Sequence, residues 1–175
     1  MLLLVNFVVF QVAWFSSVLG AAEQLPWLGP VAVLIALALH LRAARKPFEE
    51  ILLVLCCALI GAGFDSFLVA AGWVTYESGL FSNYLAPYWI ITMWMLFATT
   101  LNVSMRWLRG RPKLAALFGF YGGPTTYLAG QALGGIVLSN QVAALVALAI
   151  GWAVIMPMLM WLSENLDGMP GERRK

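Results

Sequence analysis

Six apolar runs, separated by short polar breaks, follow one another along the chain at residues 2–20, 25–41, 48–72, 85–105, 114–135 and 141–162. A hydrocarbon core about 30 Å thick needs about 20 apolar residues at a rise of 1.5 Å each. Each run is close to that length. In lipid every backbone N–H and C=O must find its partner inside the segment, so each run predicts a helix. The expected fold is therefore all-α, a polytopic membrane protein of six transmembrane helices. The second run is short and opens with Pro26 and Pro30, which a first helical turn tolerates.

The charges fix an orientation. All ten basic residues fall in three clusters: Arg42, Arg45 and Lys46; Arg106, Arg109, Arg111 and Lys113; Arg173, Arg174 and Lys175. These clusters follow the second, fourth and sixth runs. The breaks after the first, third and fifth runs hold no Lys or Arg. Basic loops stay in the cytoplasm, so both termini are expected inside. Five or seven spans would put basic clusters on both faces. The organisation predicted is a six-helix transmembrane domain at 1–163 and a short basic cytoplasmic tail at 164–175. Trp27, Trp73 and Trp89 fall near the outer ends of the runs and Trp107 and Trp161 near the inner ends, as amphipathic rings favour. Residues 2–22 lack a basic leader and carry Asn6, Gln11 and Trp14, so they read as a span and not as a cleaved signal.

Composition agrees with a lipid environment. The chain has 175 residues, 62% hydrophobic and 10% charged, with a mean hydropathy of +0.88. A soluble domain is usually about half apolar and a quarter charged. The separated basic clusters do not form the single folded patch that nucleic-acid binding needs, but they do attract anionic lipid headgroups. Cys56 and Cys57, adjacent in an apolar run, are not a disulfide framework.

Small residues four apart mark where helices approach in a membrane. Gly119 with Gly123 and Gly130 with Gly134 in the fifth run, and Ala143, Ala147 and Gly151 in the sixth, predict that these neighbours pack together. Gly122, Gly123 and Pro124 lie mid-run. A proline there removes a helix hydrogen bond, which predicts a kink or a break into two half-helices of the kind that line transporter cavities.

Asp65 is the one acid well inside a run. A central Asp costs about 2.5 to 3.5 kcal/mol on the insertion scale. Ala58, Gly61, Ala62, Asp65, Val69 and Gly72 share a helical face of mostly small residues. That face should be buried, and Asp65 should point into the protein. Tyr127 and Gln131, one turn apart on the fifth helix, are expected at a similar height, with Tyr88, Ser16 and Ser17 nearby. Asp65, Tyr127 and Gln131 are the candidate substrate or proton site.

Other features suggest no chemistry. His40 is the lone histidine and no Cys, Asp or Glu cluster surrounds it, so no metal site is expected. Met156, Met158 and Met160 share no helix face. No nucleotide loop, nucleophile elbow or HExxH motif is present. No catalytic set and no cofactor are expected. Glu49 and Glu50 suit the N-terminal end of the third helix dipole.

A set of short motifs runs through the chain: Asn6-Phe7, Phe10-Gln11, Trp14-Phe15, Leu19-Gly20-Ala21 and Pro26-Trp27; then Gly63-Phe64-Asp65, Pro87-Tyr88-Trp89-Ile90, Trp94 and Phe97-Ala98; then Gly123-Pro124, Tyr127, Ala129-Gly130 and Leu133-Gly134. This set resembles a family of small bacterial inner-membrane proteins known only as a domain of unknown function. The family's genes often lie beside genes similar to cyclopropane-fatty-acid synthases. The resemblance implies a multi-pass inner-membrane location and work near membrane lipid modification. It also implies lipid-modifying enzymes as candidate partners, and membrane lipids and a second copy of the chain are further candidates. It brings no catalytic residue.

Three function classes follow. The first is an accessory protein of envelope lipid metabolism. The second is a small transporter or lipid-translocating protein using the embedded acid. The third is a membrane-embedded enzyme with Asp65 and Tyr127 or Glu77 as acid and base.

Overall fold

The computed structural model describes residues 2–170. Six α-helices follow in order: α1 Leu2–Ala22, α2 Leu28–Ala43, α3 Pro47–Ala70, α4 Tyr88–Leu101, α5 Pro112–Ala132 and α6 Gln141–Asn165. A single 3-10 turn, Arg106–Leu108, lies between α4 and α5. No strand occurs among the described residues. The basic triplet Arg173, Arg174 and Lys175 lies outside them.

Local chemistry sets the boundaries. Pro47 and Pro112 open α3 and α5, where a missing N–H is harmless and φ is already helical. The Asn140 side chain caps α6 by accepting from Ala143 N at 3.2 Å. α4 is shorter than the apolar run that encodes it. It starts after Pro87 and ends at Leu101, where Asn102 leaves helical geometry. In its last turn, Thr99 and Thr100 donate back to the Leu96 and Phe97 carbonyls.

α1, α3 and α6 are each long and apolar enough to cross a membrane, and α2 and α4 are shorter apolar helices. Large apolar side chains also cover the outside of the bundle. Leu34, Leu59, Val142 and Val154 are each more than 60% exposed. Apolar patches of that extent mark contact with lipid or protein.

α4 is the central helix and packs on α1, α2 and α3, with a lighter contact to α6. α5 packs chiefly on α6, and this hairpin stands beside the other four helices. The two longer connections at the basic-free end fold over the bundle. Thr75 and Val137 exchange backbone hydrogen bonds at 2.9 and 3.0 Å. Ser78 Oγ donates to Ala21 O at 2.9 Å, and Trp89 Nε1 donates to Ser78 O at 3.2 Å. Trp89 is therefore a core residue and not an interfacial anchor.

Of the kink or break expected in α5, the break does not occur. The helix runs through Gly122, Gly123 and Pro124 without interruption. Pro124 deletes one hydrogen bond, that to the Phe120 carbonyl. The next residue adds one, as Thr125 Oγ1 donates to Tyr121 O at 2.7 Å. The glycines serve packing instead. A Cβ on Gly119 would lie 2.2 Å from the Trp152 carbonyl, and one on Gly123 would lie 2.4 Å from the Trp152 ring. Gly130 faces Ile136, and Gly151 faces Phe64 of α3. So α5 and α6 do pack together, but glycine against tryptophan and not small residue against small residue.

Candidate functional site

Asp65 sits on the buried face of α3, one turn beyond Gly61. That spacing builds the site. A Cβ at Gly61 would lie 2.0 Å from the Trp94 ring, so only glycine lets the indole lie against α3. Lying there, Trp94 donates its Nε1–H to Asp65 Oδ2 at 2.6 Å. α5 repeats the device. Gly123 makes room for the Trp152 ring, and one turn later Tyr127 donates its hydroxyl to Asp65 Oδ1. The two indoles stack on each other, with centroids 4.7 Å apart and planes 13° apart. Tyr76, in the connection after α3, completes the set by donating to Asp65 Oδ1 at 3.3 Å.

The carboxyl is thus bound on both oxygens by three donors from α4, α5 and the connection after α3. It is 0% exposed. A buried carboxyl in hydrocarbon is tolerable only with such partners. Chemically the arrangement is a clamp, since Asp65 is the point at which α5 is tied to α3.

The expected pairing of Asp65 with Tyr127 is therefore present. Gln131 does not join them. It is exposed, while the chain turns after α5 and lays Ile136 against Gly130. Ser16 and Ser17 bond their own helix at Val12 O and Ala13 O. Trp94 and Tyr76 were not legible as partners. An indole in an apolar run reads as core, and Tyr76 lies in a loop.

A cavity of about 200 Å³ lies next to the clamp. Trp94 and Tyr127 belong to both. Phe10, Trp14 and Val18 of α1 line it, as do Phe118, Gly122 and Thr126 of α5. Trp152 lines it as well, and its indole N–H is buried without a hydrogen-bond partner among the described residues.

A second polar cluster lies at the other end of the bundle. Glu50 is 0% exposed. It binds His40 Nε2 at 2.7 Å, Asn102 Nδ2 at 2.7 Å and Gly168 N at 2.8 Å. Asp167 pairs with Arg106 at 2.8 Å and Arg109 at 2.7 Å. Arg109 also donates to Asn102 Oδ1. Gly168 O accepts from the N–H groups of Arg45 and Lys46 at 2.8 and 3.0 Å. The segment after α6 is thereby strapped across α2, α3 and the end of α4. The helix-dipole reading of Glu50 missed this role. Its one sequence signal is an acid and a histidine facing each other across a short basic loop. Among the described residues no three His, Cys, Asp or Glu side chains converge as metal ligands would.

The family model described as protein of unknown function (DUF2878) matches residues 3–158. The chain belongs to this family. The match covers α1 from its second residue, all of α2 to α5 and most of α6, so in this DUF2878 protein both the Asp65 clamp and the cavity lie inside the family region. Neither a curated protein nor a solved structure matches the chain.

Proposed function

We propose that this DUF2878 protein is a six-pass protein of a bacterial inner membrane, with both termini in the cytoplasm, that acts as an accessory to envelope lipid metabolism. The observation that carries the reading is the apolar cavity that shares Trp94 and Tyr127 with the clamp at Asp65. An intramembrane acid is a functional candidate by default, and here its partners also form the wall of a cavity suited to lipid. The alternating basic clusters support the orientation. Membrane lipids are the partners in this reading, with lipid-modifying enzymes and a second copy of the chain as further candidates.

A second reading, lipid translocation using the embedded acid, draws on the double role of Tyr127. The enzymatic reading is the weakest. The Asp65 carboxyl is fully buried and already accepts from three internal donors.

The test is the lipid composition of a deletion strain, complemented with the wild-type gene or with Asp65→Asn at matched protein levels. Deletion is expected to change the lipids, and both genes to restore them. Failure of Asp65→Asn alone transfers the role to the acid and favours translocation. A deletion that changes no lipid overturns the connection to lipid metabolism.

A further inference from the structure

We propose that the cavity is a binding slot for an acyl chain of a membrane phospholipid, admitted sideways between α1 and α5. The proposal deepens the lipid reading above by naming the ligand, and it rests on that reading for the membrane setting.

Shape carries the inference. On α1 the slot is lined by Phe10, Trp14 and Val18, and on α5 by Phe118, Gly122 and Thr126. Both stripes repeat every four residues, so both run along their helix axes. Eight residues at 1.5 Å each make either wall about 12 Å long. A slot of that length, running along the helices, accommodates an extended stretch of acyl chain. The slot's direction also suits a lipid tail, which lies roughly parallel to the spanning helices.

The lining suits the same guest. It is almost wholly apolar, with Met93, Met105 and Met156 among the aromatic rings. Methionine adapts to a flexible apolar partner. Apolar cavities of about 150 Å³ stay dry and take up apolar guests.

The way in is lateral. α1 and α5 both line the slot without packing along each other. Thr126 and Phe118 are exposed at the edge of the slot. Gly122 leaves the α5 wall open, since a Cβ there would meet nothing closer than 3.9 Å.

The test uses the full chain in vesicles of phosphatidylethanolamine and phosphatidylglycerol doped with a phospholipid that carries a photoreactive diazirine in one acyl chain. After illumination, peptides are mapped by mass spectrometry. Label is expected on the slot residues Phe10 and Trp14, as well as on lipid-facing Leu34 and Val142. Gly122→Leu places a side chain in the slot. It should cut slot labelling by about ten-fold, because a filled cavity admits no guest, and leave labelling at Leu34 and Val142 unchanged. Thr126→Phe, which starts from an exposed position, is a second blocking variant should Gly122→Leu fail to fold. Label confined to lipid-facing positions overturns the proposal, and so does slot labelling that persists in a folded blocking variant. The lipid profile of the deletion strain is read separately. Slot labelling with unchanged lipids keeps the binding site and removes the metabolic role, and the reverse result removes the slot alone.

Discussion

The indole of Trp94 reaches Asp65 Oδ2 at 2.6 Å because Gly61, one turn earlier on α3, has no side chain to hold it off. One missing methyl thus places a donor on a buried acid. The same spacing recurs at Gly123 and Tyr127, and the two tryptophans stack between the notches.

Loss of the carboxyl should weaken the bundle in proportion to the donors it strands. Asp65→Ala leaves three buried donors without an acceptor, each costing about 1–3 kcal/mol. Asp65→Asn keeps an acceptor for the two tyrosines but sets an NH2 group against the Trp94 N–H, so about 1–3 kcal/mol is expected from that clash alone. Thermal unfolding in detergent should rank wild type above Asp65→Asn and Asp65→Ala last. An Asp65→Ala protein as stable as wild type contradicts the clamp.

Two glycines three residues apart on α5 should respond in opposite ways. In Gly119→Ala the new methyl meets the Trp152 carbonyl at 2.2 Å, and overpacking of this kind costs about 1–3 kcal/mol. Gly122→Ala enters open space and gains up to about 1 kcal/mol of helix propensity. Unfolding midpoints of the two variants measured side by side check this, and equal effects would argue against the α5–α6 packing described.

Adjacent acids should differ as sharply. Glu49 makes an exposed pair with Lys46 at 3.4 Å, worth less than about 1 kcal/mol. Glu50 is buried among His40, Asn102 and Gly168, and removing one side of such a cluster costs about 3–5 kcal/mol. Glu50→Ala should destabilise strongly, and it should expose residues 166–170 to protease. Glu49→Ala should do neither. Gly168→Ala should loosen the same strap, because its methyl would lie 2.2 Å from the Lys46 carbonyl.

Reporter fusions test the topology. Fusions after Arg45 and Arg111 should report cytoplasm, and fusions after Glu77 and Asn140 the opposite side. The informative positions are those flanking α4 and α5. α4 spans only about 21 Å at 14 residues, and α5 is not among the helices apolar enough to cross by composition. Two fusions on one side of either helix would remove that span.

Hydropathy and charge determined how many helices form, roughly where they run and that Asp65 would be buried, because each of these depends on residues close together in sequence. Asp65 with Tyr127 was legible for the same reason, since both sit on faces that helical periodicity marks as inward. Tertiary structure alone decided what those faces meet. Gln131 shares its spacing with Tyr127 yet stands exposed, Gly122-Gly123-Pro124 continues a helix it was expected to break, and Glu50 closes a buried cluster with residues far along the chain. Each outcome turns on the rotation and separation of neighbouring helices. Those are fixed by how glycine notches and indole rings fit between elements, a relation in space that a one-dimensional pattern does not carry.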